Sequence, residues 1–304
     1  MAKAEPLLLG RSQFTIGYQP QGQWSWLITL AFLFGSVGAG LFLISYFSGF
    51  RLGAGIGLLI VGVGKTTAHL LYLGRPERFL RVLTRWRTSW LARGAIAMVG
   101  FVAFGFLYLA RYLHISFVPH GVTVGFGAAA VVMALVIMCY DGFVMKASRG
   151  IPLWDTYLMP VLVFFYALLG GTTLALATEH LAGVTAHSRL EWLEVALLLL
   201  NSALIGVVLF TARARQAAVK AAVALLTRGP MKPLFFGVAV GLGIGGTILL
   251  VGISIATGSV VALVIGAATE LLGDFFVVFS LLRVGLHPTI RSVPDRRIPV
   301  AVGA

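Results

Sequence analysis

The chain has 304 residues, of which 59% are hydrophobic and only 11% are charged, and its mean hydropathy is +0.97. These values exclude an ordinary soluble domain and indicate an integral membrane protein. A net charge of +13 would suggest a nucleic acid partner for a soluble protein. Here the cations lie in short connections between apolar segments, so we expect contact with membrane lipid or a protein partner and no nucleic acid partner.

Apolar stretches long enough to cross a bilayer occur eight times along the chain. A hydrocarbon core of about 30 Å requires about 20 helical residues. This template predicts an all-α membrane protein with spans at 24–48, 54–73, 89–112, 120–140, 157–178, 192–212, 233–256 and 260–283. Residues 1–23 and 284–304 are then terminal extensions of a single transmembrane domain, and the first of them shows neither a signal peptide nor a lipid-anchor motif.

The distribution of cations predicts the orientation. An even number of spans places both termini on one side of the membrane, and 19 of the 23 Lys and Arg residues fall on that side, against three on the other. The positive-inside rule therefore predicts that both termini are cytoplasmic and that the protein crosses the inner membrane of the cell.

Two of the basic connections have the pattern of amphipathic surface helices. In residues 75–87 and 211–229, cations alternate with Leu, Val or Ala at helical spacing. The arginines of the first connection are suited to setting the orientation of the chain in the membrane and to contacting lipid headgroups. They are also suited to docking an acidic partner. The docking candidates are Arg75, Arg78, Arg81 and Arg85.

Ionisable residues within the predicted spans are functional candidates, because a charge at membrane depth is costly. On the second span, Lys65, His69 and Tyr72 have the spacing i, i+4 and i+7, which places them on one helix face. Asp141 lies at the predicted end of the fourth span.

The eighth predicted span carries a second polar face with Glu270 and Asp274 at i and i+4. Counted from the ends of their spans, Lys65 and Asp274 lie at similar depth, so on neighbouring helices Lys65 would pair with Asp274 or Glu270. Two interpretations remain open: an ion pair that only fixes packing, or a path for protons or a ligand. We assign Lys65, Glu270 and Asp274 to a predicted proton pathway.

Several kinds of redox centre are not expected within this chain. Cys139 is the lone cysteine, so neither a cysteine-ligated iron–sulfur cluster nor a thiolate zinc site is predicted. His69 is the only histidine clearly within a predicted span, which disfavours a bis-histidine haem. Most of the others lie in solvated opposite-side loops and predict no metal site: His114, His120, His180 and His187. Electron chemistry would therefore need a bound small redox molecule or another subunit.

Five ordered motifs occur along almost the whole chain: FGSVGAGLFL (34–43), LGRPERF (73–79), TSWLARG (88–94), YDGFVMKASRGIPLWDTYLMPVL (140–162) and ELLGDFFVVFSLLRVGLHP (270–288). Together they resemble the NrfD family, the membrane-anchor subunits of polysulfide reductase and related molybdenum enzymes. The resemblance implies two four-helix bundles and a pocket for quinone or quinol, either menaquinone or ubiquinone. It also implies an iron–sulfur partner subunit docked near that pocket and a molybdopterin catalytic subunit, with no haem or cluster in this chain.

The resemblance also suggests which residues contact the quinone. In the polysulfide reductase branch a tyrosine near the end of the fourth helix does so, and Tyr140 stands at the matching place. Two polar residues of the family's first helix are replaced by Ile28 and Ala31, so that part of the pocket does not transfer. Many relatives have an acidic residue or a histidine where this chain has Tyr72, and His69, one turn earlier, is suited to that role. The predicted quinone-binding residues are His69, Tyr72, Tyr140 and Asp141.

Two other functions fit the same composition. A secondary transporter would also carry charged residues at mid-membrane, although the sequence shows no clear inverted repeat. A structural anchor would hold its partners without quinone chemistry of its own.

In the periplasmic branch of the NrfD family the face with the termini points outward, whereas the cation count places that face in the cytoplasm, and our prediction follows the count.

Overall fold

The computed structural model describes residues 15–113, 119–184, 188–288 and 290–291. Within these residues, eight helices are long and apolar enough to cross a membrane, which confirms the predicted all-α transmembrane fold. In chain order, spans 1 to 8 are Trp26–Ser48, Arg51–Tyr72, Trp90–Ala110, Gly121–Ala147, Leu158–Leu181, Arg189–Ala212, Pro233–Thr257 and Val260–Arg283.

Span 4 differs most from its predicted bounds. The sequence predicts an end at residue 140, whereas the helix continues to Ala147, so Asp141 lies inside the helix and is fully buried. The apolar template ended there because Asp141 is charged. Its charge is compensated within the protein, so the helix does not need to end where the apolar run does.

The eight spans pack as two bundles of four. Spans 1 to 4 form one closed ring of neighbours and spans 5 to 8 form another, and spans 1 and 5 pack against each other between the rings. At this central contact, a Cβ atom on Gly40 would overlap the backbone of Ala167, and one on Gly171 would overlap Gly40. Gly40 of the FGSVGAGLFL motif and Gly171 therefore allow the two bundles to pack backbone to backbone.

The two bundles share the same order of elements. Each has a short surface segment after its second span: the 3₁₀-helix Pro76–Arg85 in the first bundle and the α-helix Ala217–Thr227 in the second. Because each bundle has four spans, both enter the membrane from the same side. The two surface segments therefore lie on the side of the chain termini.

The connection between the bundles, residues 148–157, is fixed on the same side. The indole of Trp154 donates a hydrogen bond to the Leu281 carbonyl at 3.0 Å and stacks on Trp24 at 4.8 Å. Arg215, next to the second surface helix, donates to the carbonyls of Pro152 at 2.6 Å and Asp155 at 2.9 Å. The Gly-Ile-Pro-Leu-Trp motif is therefore a structural tie between the two bundles.

The two terminal extensions pair with each other on this side. Thr15–Ile16 pairs antiparallel with Ile290–Arg291, and Gln19–Pro20 pairs with Leu286–His287. The remaining parts of the predicted extensions, residues 1–14, 289 and 292–304, lie outside the described residues.

Candidate functional site

The site is built around Lys65, where the winding of span 2 changes. Residues Ile60–Lys65 form π-helical turns, and an α-helix resumes from Thr66 to Tyr72. Such turns occur frequently at functional sites in membrane and soluble helices. The Lys65 side chain is 0% exposed. Gly35 of span 1 makes room for it, since a Cβ atom at that position would overlap the Lys65 ammonium group.

Lys65 forms a buried ion pair with Asp141 of span 4. Its Nζ donates to Asp141 Oδ1 at 3.0 Å and Oδ2 at 2.9 Å, and to the Ala31 carbonyl at 3.1 Å. The Asp141 side chain is also 0% exposed. The expected pairing of Lys65 with Asp274 or Glu270 is therefore wrong. Residues at similar depth in the membrane pair only if their helices are neighbours, and span 2 belongs to the first bundle whereas span 8 belongs to the second.

Tyr140 lies directly beside this ion pair. The Lys65 Nζ atom is 5.0 Å from the centre of its ring. On span 3, a Cβ atom at Gly94 would overlap the same ring, so the tyrosine packs against bare backbone there. The final glycine of the TSWLARG motif thus has a direct structural role: it leaves the space that Tyr140 occupies.

An apolar cleft opens between spans 2, 3 and 4 and the first surface segment. Its polar lining residues are Thr66, His69 and Tyr140, and its apolar ones are Leu70, Leu73, Val82, Leu91, Ala95 and Met98. The empty volume is about 520 Å³ with the open space at the mouth included. Leu70 and Leu91 are 42% and 43% exposed, so the cleft opens at the outer surface of the bundle.

The hydrogen bonds around His69 determine what it offers to the cleft. Its Nδ1 lies 3.0 Å from the Lys65 carbonyl, which can only accept, so Nδ1 donates. The other ring nitrogen, Nε2, is then an acceptor in the neutral imidazole. Tyr140 adds a hydroxyl that can donate or accept. The cleft therefore combines apolar walls with one imidazole proton acceptor and the hydroxyls of Tyr140 and Thr66.

The remaining predicted quinone-binding residues do not line this cleft. Asp141 lies behind Tyr140 in the ion pair with Lys65. Tyr72 packs against the buried cluster that contains Ile28 and Met145. The structure thus brings His69 and Tyr140 together at the cleft, whereas Asp141 and Tyr72 contact other residues outside it.

Glu270 and Asp274 form a separate acidic cluster inside the second bundle. Together with Tyr166 and Asn201 they line a gap that is too narrow to hold a water molecule. Neither carboxylate oxygen of Glu270 makes a hydrogen bond to a described residue, although Asp274 lies one turn away. The three predicted proton-pathway residues therefore lie in two distinct clusters.

The predicted docking arginines lie on the first surface segment and the turn before it. Arg75, Arg81 and Arg85 are exposed, and the side chain of Arg78 lies outside the described residues. Among the other histidines, His180 lies inside span 5 and its Nδ1 donates to the Leu176 carbonyl. His114, His187 and the side chain of His120 are outside the described residues.

Sequence reasoning missed some residues of these sites. Thr66 lines the cleft with His69, and its position three residues before His69 on the same helix face was an available signal. Glu194 is 1% exposed within span 6, where it accepts a hydrogen bond from Thr173 at 2.7 Å. It lies inside a predicted span, so the rule that singled out Glu270 applied to it as well. The wall residues Ala95 and Met98 carry no sequence signal of this kind.

Comparisons with known proteins agree with this architecture. The family described as "Polysulphide reductase, NrfD" matches residues 15–288. The chain is also similar to one of the subunits of the sulfite dehydrogenase of Allochromatium vinosum, with 30% identity over 135 residues. That match spans 41% of this chain and 41% of the relative.

Proposed function

The chain belongs to the polysulphide reductase NrfD family, and we propose that it is the quinone-reactive membrane subunit of a respiratory oxidoreductase complex. In this proposal the cleft between spans 2, 3 and 4 holds the headgroup of a quinone or quinol, menaquinone or ubiquinone. The observation that carries it is the meeting of His69 and Tyr140 in one apolar cleft that opens to the outer surface of the bundle.

The lining residues fit such a molecule. A quinone is neutral, carries a long apolar tail, and supplies two-electron chemistry coupled to two protons. The apolar walls of the cleft suit a neutral ring and the start of its tail. In this proposal His69 Nε2 takes a proton from a quinol hydroxyl, and the Tyr140 hydroxyl hydrogen-bonds a second ring oxygen.

The ion pair behind the cleft has a positioning role in this proposal. Asp141 fixes Lys65, and the Lys65 ammonium lies against the ring of Tyr140. The backbone carbonyl of residue 65 also accepts the Nδ1 hydrogen bond of His69, so both cleft residues contact the same turn of span 2. Glu270 and Asp274 would act as a separate acidic part of the proton pathway in the second bundle.

The proposed partners are an iron–sulfur electron-transfer subunit and a molybdopterin catalytic subunit. The first surface segment supports docking near the cleft, because Val82 of that segment lines the cleft while Arg81 and Arg85 on it are exposed. The similarity to a sulfite dehydrogenase component favours an inorganic sulfur compound as substrate of the catalytic partner. The positive-inside count supports a cytoplasmic position for this face and for both termini.

The proposal is tested by quinol-linked turnover of the assembled complex with His69→Ala and Tyr140→Phe. We expect a loss of about a hundredfold or more for His69→Ala, which removes a general base. For Tyr140→Phe, which removes one hydrogen bond, we expect a loss of about tenfold.

His180→Ala is the matched control for His69, because His180 also donates Nδ1 to a carbonyl four residues earlier in a span but lies far from the cleft. Its turnover should equal that of the unmodified protein. If both cleft variants assemble and turn over normally, and quinone-site inhibitors have no effect, the chain is a structural anchor. Substrate flux in liposomes without partner subunits would instead support a transporter.

A further inference from the structure

A second cleft lies at the corresponding place in the second bundle. It is formed by the end of span 6, the surface helix Ala217–Thr227 and the start of span 7. Its empty volume is about 1130 Å³, open space included. Its lining includes the cations Arg213, Lys220 and Arg228 and the apolar residues Leu209, Ala224 and Phe236. It therefore presents three cations beside an apolar wall.

These three cations have no acidic partner within the described part of the chain. The ion pairs found there are Lys65 with Asp141 and Lys146 with Asp155. The neighbouring Arg215 is used differently, because its guanidinium donates to three carbonyls of the connection between the bundles. Arg213, Lys220 and Arg228 are all exposed. Their charges are therefore available to a ligand.

The two sides of the surface helix Ala217–Thr227 differ in burial and in charge. Val219, Ala222 and Leu226 are 0%, 0% and 1% exposed and attach the helix to the protein core. Lys220 and Ala224 follow the other side at a spacing of four residues and line the cleft, as does Arg228 just beyond the helix end. The helix is thus held by its apolar side and turns its basic side toward the cleft.

The two clefts differ in the ligand that they fit. Among the described residues, no cation lines the first-bundle cleft, which suits a neutral ring. A neutral ligand in the second cleft would contact Leu209 and Phe236 but would make no ion pair with the three cations. A ligand with a negatively charged group and an apolar part would satisfy both features, and the ends of membrane spans are where phospholipid headgroups lie.

We propose that the second cleft is a binding site for one anionic phospholipid. Its phosphate would contact Arg213, Lys220 and Arg228, and its acyl chains would lie along Leu209 and Phe236. This site does not depend on quinone binding in the first bundle. A bound lipid would join span 6, the surface helix and span 7 on the side that carries the tie between the bundles.

The test uses the full-length protein, together with its partner subunits if they copurify, after delipidation in detergent. Native mass spectrometry counts bound phosphatidylglycerol, and the melting temperature is compared in nanodiscs of phosphatidylglycerol and phosphatidylcholine. The unmodified protein should retain one phosphatidylglycerol and melt at a higher temperature in the anionic nanodiscs. Each cation is expected to contribute about fivefold to the affinity, so Arg213→Gln/Lys220→Gln/Arg228→Gln should lose the bound lipid and the stabilisation.

The matched control removes three exposed cations from the same side of the membrane outside the cleft: Arg149→Gln/Lys232→Gln/Arg283→Gln. This variant should keep the bound lipid, and so should the charge-conserving Arg213→Lys/Arg228→Lys. Equal lipid retention by the cleft variant and its control would overturn the proposal. So would equal stabilisation by inorganic phosphate, which would indicate a small-anion site, or crosslinking of Lys220 to an acidic partner segment with no lipid bound.

Discussion

At the residue scale, the buried ion pair of Lys65 and Asp141 is the most costly feature of the site. Each charge is removed from water, and the pair persists because Lys65 makes three short polar contacts and Asp141 accepts with both oxygens. A pair of this kind is strongly coupled, since removing one partner leaves the other charge uncompensated at membrane depth.

We therefore predict that Lys65→Met alone or Asp141→Leu alone destabilises the protein by about 3 to 5 kcal/mol. The double variant Lys65→Met/Asp141→Leu should recover most of this loss, because it removes both charges. The measurement is reversible unfolding in mixed micelles, with the folded fraction followed by size-exclusion chromatography.

The control for this cycle is the half-exposed pair Lys146 and Asp155, whose charged atoms are 4.0 Å apart. Lys146→Met should cost less than about 1 kcal/mol. If each single variant at the buried pair is as stable as the double variant, Lys65 and Asp141 do not interact as described.

Individual site residues were predictable from sequence only where their polarity within an apolar run or a motif distinguished them. His69, Lys65 and Asp141 stood out as polar groups in apolar runs, and Tyr140 stood out through its motif. The partner of Lys65 was predicted wrongly, because counting along a helix gives depth but not the neighbouring helix. Tyr72 shares a predicted face with Lys65 and His69, yet its side chain packs against the buried cluster that contains Ile28 and Met145.

At the element scale, the position of the Tyr140 ring depends on close packing between spans 3 and 4. Gly94 is the residue of span 3 against which the ring lies. Any side chain at this position has to displace the ring, and overpacking of this kind commonly costs about 1 to 3 kcal/mol.

We predict that Gly94→Ala lowers quinol-linked turnover about tenfold or more while the complex still assembles, because Tyr140 leaves its place in the cleft. Gly125→Ala on span 4 is the control, since none of the described residues outside its own helix has an atom within 4 Å of its Cβ position. Its turnover should be unchanged. Normal turnover of Gly94→Ala would mean that the position of Tyr140 is not needed for the reaction.

The elements themselves were largely predictable, because bilayer thickness fixes the length of an apolar helix. Both basic connections form short helices, as the spacing of their cations indicated. Their neighbours in space were not predictable from the residues alone, because lipid-facing and bundle-facing surfaces are similarly apolar. The cleft walls follow from those neighbours, so Val82, Ala95 and Met98 became visible only in the structure.

At the scale of the whole molecule, two similar bundles carry different chemistry. The first has the neutral cleft and the ion pair, and the second has the acidic cluster and the cationic cleft. Both clefts lie on the side that holds the termini, the surface segments and the tie between the bundles. The compartment that this side faces determines where a partner subunit docks.

We predict that this side is cytoplasmic. A green fluorescent protein fused after Ala304 should fluoresce, because that reporter folds in the cytoplasm, and an alkaline phosphatase fused at the same place should be inactive. The reason is that this side carries 19 Lys and Arg residues, whereas the opposite side carries three. Activity of the phosphatase fusion alone would place the termini and the first surface segment in the periplasm.

The central claim is that a quinone occupies the cleft of the first bundle, and photolabelling of the membrane-embedded complex with an azidoquinone tests it most directly. We expect the label within residues 66–73, 91–98 or on Tyr140. Ala95→Leu, which fills the cleft, should abolish the labelling, and Ala103→Leu, at an exposed position of the same span, should not. Labelling confined to the second bundle, or unchanged by Ala95→Leu, would contradict the claim.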